Sequence, residues 1–146
     1  EADGRGRWAT FRRVEDLRKI MIRNDDEATQ IAILEIGYTT DPRPESLNAW
    51  FAVDEATQAQ YLVEAYTYAA ENWRPWVGLM SAIYIPRPSW TPDNEQYWWA
   101  ITDPEMVEIR PAFAALAQMP KYCGDIIIPL RSPEESAVAL ESNPCD

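Results

Sequence analysis

The sequence contains no histidine, and its two cysteines, Cys123 and Cys145, do not belong to a cluster of metal-ligating residues. A zinc site of the usual kind is therefore excluded, because such sites combine several Cys and His ligands. Catalytic triads that depend on an imidazole are excluded for the same reason. We expect neither a metal nor a cofactor.

Basic residues are scarce, since 13 Lys and Arg stand against 24 Asp and Glu and give a formal net charge of −11. Such a charge repels phosphate backbones and anionic lipids, so neither nucleic acid nor a membrane surface is an expected partner. The sequence also lacks a run of about 18 uninterrupted apolar residues, which a membrane-spanning helix needs. We therefore expect no transmembrane segment.

Apolar and aromatic residues are plentiful. With 146 residues, of which 47% are hydrophobic and 12% aromatic, the chain has the composition of a folded domain with a core. Several of the seven tryptophans fall in predicted loops, where their flat apolar faces would suit a sugar-binding cleft. The alternative is that most of them pack in the core or at an interface.

The two cysteines bracket a C-terminal tail. A disulfide between Cys123 and Cys145 would tie this tail down in an oxidising compartment, and two unpaired thiols are the alternative. The chain starts at Glu1 rather than Met and shows no signal peptide, as expected of a processed product or of a fragment. We expect an extracellular or cell-surface location.

Hydrophobic spacing predicts a helix, a strand and a long loop at the beginning of the chain. Apolar residues recur at helical spacing over residues 8–23, with Arg and Glu between them. Residues 30–35 form a nearly continuous apolar run, typical of a parallel strand covered on both faces. Gly37 suggests a bulge or a sharp exit from this strand. The polar segment 38–53 is longer than most connections, and such loops tend to be functional.

A second helix and a second strand follow. Asp54 can cap a helix whose apolar stripe ends at the Arg74-Pro75 break. Residues 76–85 are again nearly all apolar and predict a buried strand. Strand, helix and strand in this order form a βαβ unit with parallel strands. The proline-rich segment 86–94 is another long loop.

The pattern also predicts a last helix and an irregular tail. The helix opens at Arg110-Pro111 and stops before Pro120, because proline is tolerated in the first turn and blocks continuation. The tail holds a short apolar patch at 126–128, and its end, rich in Pro, Ser and Glu, is expected to be irregular.

Two buried parallel strands cannot form a stable sheet alone, because their edges expose unpaired N–H and C=O groups and their faces need more helices. We therefore expect a missing N-terminal portion or a partner chain to complete the sheet. The incomplete α/β unit comprises residues 1–122, and the tail comprises residues 123–146.

Four segments match a known family in order and spacing. They are Ile33-Leu34-Glu35-Ile36-Gly37-Tyr38, Gln58-Ala59-Gln60-Tyr61-Leu62, Trp76-Val77-Gly78-Leu79-Met80, and Arg110-Pro111-Ala112-Phe113 with Leu116 and Met119-Pro120-Lys121. Over roughly residues 8–121 the chain resembles the C-terminal part of retaining glycoside hydrolases with a TIM (β/α)₈ barrel, the clan of cellulase-like and xylosidase-like enzymes. The resemblance implies an α/β fold made of about the last two βα units of such a barrel.

By this resemblance Glu35 is the catalytic nucleophile. A carboxylate at the carboxyl end of a barrel strand faces the mouth where active sites are built. A buried, preorganised Glu attacks the anomeric carbon, while a second carboxylic acid about 5 Å away protonates the leaving oxygen. In the family this acid follows the fourth strand in an Asn-Glu pair, and no pair suited to that role is present. We therefore expect the chain alone to be inactive. The alternative is a buried Glu35 paired with an arginine elsewhere in the barrel.

The resemblance also implies an aromatic platform for the sugar. Where many members have Trp-Asn at the end of the eighth strand, this sequence has Ile83-Tyr84. We expect the platform to come from Tyr84, or from Trp90, Trp98 or Trp99 in the following loop. For Trp98 and Trp99 the alternative is packing of the final helix.

Three further side chains have alternative interpretations. Tyr38 either lines the cleft or packs beneath the loop. Asp93 and Glu95 are expected to be solvated loop charges, and contact with sugar hydroxyls is the alternative.

The leading functional hypothesis is hydrolysis of a glycosidic bond with retention, with carbohydrate as the substrate. The second hypothesis is a barrel-derived protein that has lost catalysis and binds carbohydrate or a protein partner. The third is a complete subunit whose sheet is finished by another chain.

Overall fold

The computed structural model of the protein describes residues 10–123 and 126–128. Its helices are α1 (Arg13–Arg23), α2 (Glu55–Asn72) and α3 (Pro111–Gln118), and its strands are β1 (Ile31–Ile36), β2 (Val77–Ala82), β3 (Lys121–Cys123) and β4 (Ile126–Ile128). Two short 3₁₀ turns, Ala49–Phe51 and Glu95–Trp98, lie within the long loops. This part of the chain is a small mixed α/β structure.

β1 and β2 form a parallel two-stranded sheet, with Ile31 opposite Val77 and Ile33 opposite Met80. Because α2 connects the two strands, the predicted βαβ unit is confirmed. The pairing changes register between Ile33 and Ile36, so β1 is irregular just before the glycine that indicated a bulge or a sharp exit.

β2 is shorter than the predicted strand 76–85 because, from Tyr84 onward, the backbone forms hydrogen bonds outside the sheet. The Ile83 N–H still donates a hydrogen bond to the Ile36 carbonyl at 2.9 Å. The Tyr84 N–H then donates to the Trp99 carbonyl at 3.3 Å. The chain therefore leaves the sheet at Tyr84 and joins the following loop.

The structure describes only part of the first predicted helix. The helix predicted over residues 8–23 is confirmed from Arg13 onward, and residues 1–9 lie outside the described part of the chain. The strand predicted over residues 30–35 is confirmed with a shift of one residue, as Ile31–Ile36.

α2 begins and ends at the predicted signals. The Asp54 carboxylate accepts a hydrogen bond from the Thr57 N–H at 2.7 Å, and this bond lowers the pKa of Asp54. The helix ends at Asn72, before the Arg74-Pro75 pair. α3 likewise has proline in its first turn and ends before the next proline.

Two clusters of buried side chains hold the helices together. In the first, Val14 of α1 packs with Ala69 and Trp73 at the end of α2, and partly buried residues of both β1 and β2 pack against this cluster. In the second, Leu62 of α2 packs with Ala112 of α3. α2 therefore contributes to both clusters and is the central helix.

The other side of the parallel sheet is open. Ala32 is exposed, and Leu34 and Leu79 are 68% and 51% exposed, although each lies in a strand. The predictions that β1 is covered on both faces and that β2 is buried are therefore wrong for the described residues, because their helices cover one side of the sheet only. Each strand of this two-stranded sheet also has one edge without a neighbouring strand in the described part.

A short antiparallel hairpin follows α3. Lys121 pairs with Ile128 and Cys123 pairs with Ile126, so the apolar patch 126–128 is a strand that the sequence analysis did not predict. The hairpin crosses the boundary that we placed after residue 122. Cys145 lies outside the described residues, and its disulfide with Cys123 stays a prediction.

No helix in the described ranges combines the length and the apolar character needed to cross a membrane.

Candidate functional site

Glu35 lies one residue before the carboxyl end of β1 and lines a cavity of about 600 Å³. Residues of α1, β1 and α2 and of the loop between β1 and α2 surround this space, which we call the Glu35 cavity. Glu35 is exposed, so the expectation of a buried nucleophile is wrong for the described chain. In the described part of the chain β1 has a free edge, so no side chains of a neighbouring strand flank Glu35 on that side. In the described part, no hydrogen bond or ion pair engages the carboxylate.

Gly37 allows the exit of β1 to approach the end of β2. A Cβ atom added here would lie 2.6 Å from Ile83 Cγ1 and 3.2 Å from both the Ile83 carbonyl oxygen and Trp99 Cε3. A side chain at this position would therefore displace its neighbours. The close approach places Trp99 beside the strand end that carries Glu35.

Aromatic side chains form one wall of the Glu35 cavity. Trp99, a predicted site residue, packs against Phe51 with ring centroids 5.7 Å apart, and Phe51 contacts Trp50 at 4.5 Å. Trp50 and Phe51 lie in the 3₁₀ turn of the β1–α2 loop and are not among the predicted site residues. The sequence feature that could have identified them is an aromatic pair inside an unusually long polar loop.

Tyr38 lines the Glu35 cavity and also packs on α2. Its ring makes an edge-to-face contact with Tyr61 at 5.2 Å, and its carbonyl accepts a hydrogen bond from Gln58 Nε2 at 2.7 Å. Burial raises the pKa of the Tyr38 hydroxyl, and the neighbouring Tyr61 and Glu64 raise it further. Tyr38 therefore occupies both of the positions considered for it, at the cavity and beneath the loop.

Tyr84 follows β2 and lies on the same rim of the sheet as Glu35. Its half-buried ring contacts Trp90 edge to face at 5.4 Å, and the peptide bond between Ile83 and Tyr84 is cis. Burial raises the pKa of the Tyr84 hydroxyl, and the negative charges of Glu35 and Glu95 raise it further. Tyr84 and Trp90 thus form a pair beside Glu35, while Trp99 belongs to the cavity wall.

Trp98 connects the two long loops. Its carbonyl accepts hydrogen bonds from the N–H and the hydroxyl of Thr40, each at 2.9 Å, and its indole N–H donates to the Pro92 carbonyl at 2.9 Å. Its side chain lines a neighbouring groove of about 900 Å³, together with Arg43 and Trp50. The structure therefore separates Trp98 from the Glu35 cavity, which Trp99 lines.

The β1–α2 loop is organised around Asp41, which is 2% exposed. Arg43 donates from Nε to Oδ1 and from Nη2 to Oδ2 of this carboxylate, both at 2.8 Å. These hydrogen bonds hold the pKa of Asp41 at about 2. The guanidinium of Arg43 also lies 6.0 Å from the ring centroid of Trp98. No sequence signal distinguished this pair from the other charges of the loop.

Two further contacts fix the segment that carries the tryptophans. Asn48 Nδ2 donates a hydrogen bond to the Glu95 carboxylate, which joins the two loops while Glu95 stays exposed. The buried Arg110 donates from Nη1 to the carbonyls of Tyr97 and Ala100, both at 3.0 Å. The exposure of Glu95 agrees with the expected solvated charge, but its link to Asn48 was not predicted.

The Glu35 cavity and its rim offer one carboxylate, the phenols of Tyr38, Tyr61 and Tyr84, and several indole faces. Among the residues that the structure describes, no group of acidic or cysteine side chains is arranged to hold a metal ion. A carboxylate surrounded by aromatic rings and hydroxyl groups suits a ligand that has both apolar faces and hydroxyl groups.

No protein-family model matches this chain, and the comparisons with curated proteins and with solved structures find no match either.

Proposed function

We propose that this chain forms the C-terminal part of a retaining (β/α)₈-barrel glycoside hydrolase, with Glu35 as its nucleophile. The supporting observation is the position of Glu35 at the carboxyl end of a parallel strand, where it lines a cavity with aromatic walls. Tyr84 follows the neighbouring strand on the same rim. Enzymes of this fold build their active sites at the carboxyl ends of the strands.

In this proposal a Glu35 oxygen attacks the anomeric carbon, and the bond from that carbon to the leaving oxygen breaks. The leaving oxygen takes a proton from a second carboxylic acid, which barrel strands outside this sequence supply. Water then releases the sugar from Glu35 and restores the proton to the acid. The Tyr84 hydroxyl, whose pKa is raised further above neutral by burial and by the charges of Glu35 and Glu95, is protonated at neutral pH and can donate a hydrogen bond at this rim.

The open side of the sheet supports an incomplete barrel. Leu34 and Leu79 would be covered by further barrel layers, and the free strand edges would pair with neighbouring strands. The proposed partner is therefore the rest of the barrel, and the proposed substrate is a carbohydrate.

The test uses the polypeptide that contains the complete barrel. Glu35→Gln keeps the size of the side chain but removes its nucleophilicity, so we expect turnover of an aryl glycoside to be abolished without unfolding. The matched control is Glu45→Gln, an exposed carboxylate of the same loop outside the Glu35 cavity, which should retain turnover. A 2-deoxy-2-fluoro aryl glycoside should label Glu35, and mass spectrometry of the digested protein should locate the label. Unchanged turnover in Glu35→Gln, or labelling at another residue, would remove Glu35 from the mechanism.

A non-catalytic sugar-binding role is the second candidate. It is favoured by the exposed Glu35 carboxylate, which no described residue orients, and by Ile83-Tyr84 at the place where the family has Trp-Asn. In this case a neutral sugar would bind with equal affinity to the native protein and to Glu35→Gln, and the fluoroglycoside would not label the protein.

A further inference from the structure

Trp50 lies between two concave surfaces. It belongs to the 3₁₀ turn Ala49–Phe51 of the β1–α2 loop, and its side chain is 41% exposed. It lines the Glu35 cavity, and it also lines the neighbouring groove together with Arg43 and Trp98. A ligand that extends from Glu35 into this groove would therefore pass the indole of Trp50.

The indole is held in place before any ligand arrives. Phe51 packs against it at 4.5 Å with an interplanar angle of 69°. The turn itself is fixed at both ends, because the Phe51 N–H donates to the Asn48 carbonyl at 3.1 Å and the Val53 N–H donates to the Thr39 carbonyl at 3.0 Å. An aromatic surface that is already ordered loses little conformational entropy on binding.

The charge around the Glu35 cavity selects the class of ligand. Of the described residues that line it, Glu35 is the only charged one, and the others are apolar, aromatic or hydroxyl-bearing. A carboxylate-bearing sugar would be repelled by Glu35 and by the net charge of −11. A neutral pyranose presents an apolar ring face to an indole and hydroxyl groups to polar side chains.

We infer that Trp50 is the platform of a second sugar subsite, beside the one at Glu35, and that the ligand is a neutral oligosaccharide. One pyranose ring stacks on the indole of Trp50 and the chain continues along the groove toward Trp98. That the ligand is a sugar rests on the function proposed above. The neutral charge rests on the lining of the Glu35 cavity, and the length beyond one ring rests on the position of Trp50 between this cavity and the groove. The groove itself carries charges of both signs, from Arg43, Asp54 and Glu55.

The experiment is a calorimetric titration of the polypeptide that contains the complete barrel, as in the test of Glu35. Xylotetraose and cellotetraose are the neutral probes, and tetragalacturonate is an anionic probe of equal length. We expect a neutral probe to bind and tetragalacturonate not to bind. Trp50→Ala should weaken binding about tenfold, and Trp50→Phe should weaken it less because an aromatic face remains. Leu47→Ala, a change in the same loop at a side chain that is 90% exposed, should keep the native affinity.

Two kinds of result would overturn the inference. One is failure of both neutral probes to bind the native chain, or preferential binding of tetragalacturonate. The other is an equal affinity in the native chain and Trp50→Ala, with circular dichroism showing that the variant is folded.

Failure of this inference can be distinguished from failure of the proposed function. If Glu35→Gln abolishes turnover but Trp50→Ala leaves both oligosaccharide affinity and KM unchanged, the glycosidase function stands and the Trp50 subsite does not. If a neutral probe binds through Trp50 but no fluoroglycoside labels Glu35, the subsite stands and the hydrolase does not.

Discussion

Asp41 and Arg43, two residues apart in the β1–α2 loop, form a two-pronged ion pair in which the carboxylate is buried and the guanidinium reaches the surface. The Arg43 side chain is 32% exposed, whereas the Asp41 side chain is 0% exposed. The Arg43 N–H also donates to Asp41 Oδ1 at 3.0 Å. This pair joins the backbone of the loop to the Trp98 ring and therefore supports the shape of the proposed site.

Arg43→Ala should destabilise the protein, because it leaves a buried carboxylate without its cation. We expect the free energy of unfolding to fall by about 2 kcal/mol, as measured by urea titration. Asp41→Asn added to this variant should restore part of the loss, since the uncharged amide costs less to bury. The control is Arg87→Ala, an exposed arginine of the other loop. A double variant less stable than Arg43→Ala would contradict this account of the pair.

Acid should weaken the contact between α1 and α2. Hydrogen bonds from Arg12 first, and then from Trp73 and Tyr68, lower the pKa of Glu15 from 4.5 to about 2, although burial opposes them. Because the folded pKa lies below the unfolded one, this stabilisation is fully present above pH 4.5 and is lost as the pH falls toward about 2.

Glu15→Gln tests the pH dependence. The variant should be less stable than the native chain at neutral pH, and the difference should shrink as the pH falls through that window, as read from urea midpoints followed by tryptophan fluorescence. Glu71→Gln, at an exposed position of α2, removes a carboxylate without these contacts and should leave the profile unchanged. A constant difference between Glu15→Gln and the native chain at every pH would show that the carboxylate charge is not responsible.

Gly37→Ala and its control Gly78→Ala test whether the close approach of the chain at Gly37 contributes to stability. At Gly37 the new Cβ meets Ile83 Cγ1 at 2.6 Å and backbone oxygen at 3.2 Å, so we expect a loss of about 2 kcal/mol in unfolding free energy. At Gly78 the new Cβ meets only the end of the exposed Gln30 side chain, which can move away by giving up its hydrogen bond to the Pro75 carbonyl for one to water, so the loss should be smaller, about 0.5 kcal/mol. Thermal or urea unfolding checks both, and equal losses would mean that the close approach at Gly37 does not matter.

The isolated chain should self-associate, because its parallel sheet has free edges and exposed leucines. Size-exclusion chromatography with light scattering should show species larger than a monomer. Replacing both Leu34 and Leu79 by Lys should reduce the association, whereas Leu47→Lys in the β1–α2 loop should not. A monodisperse native monomer would count against an incomplete barrel.

The sequence predicted the elements well where one local signal was enough. The cap at Asp54, the stop before Pro75 and the apolar runs of β1 and β2 each depend on neighbouring residues, and each is confirmed. It offered Trp90, Trp98 and Trp99 as alternatives for an aromatic platform, but it did not distinguish Trp99, which lines the Glu35 cavity, from Trp98, which lines the neighbouring groove.

Features that depend on how the loops fold back could not be predicted. Trp50 reaches the Glu35 cavity because the β1–α2 loop returns toward β1. The spacing of apolar residues in the sequence does not predict the path of this loop. Asp41 is buried within a polar loop, against the usual preference of carboxylates for the surface, because Arg43 is near enough to neutralise it. The exposure of Glu35 depends on which elements pack around β1, and the pattern of a single strand does not predict that.

The links from Thr40 to Trp98 and from Asn48 to Glu95 also limit how this protein can be re-engineered. Grafting either loop alone onto a related scaffold would cut these links and leave the tryptophans without their support. A chimera must therefore receive both loops together, as a single transplantable unit.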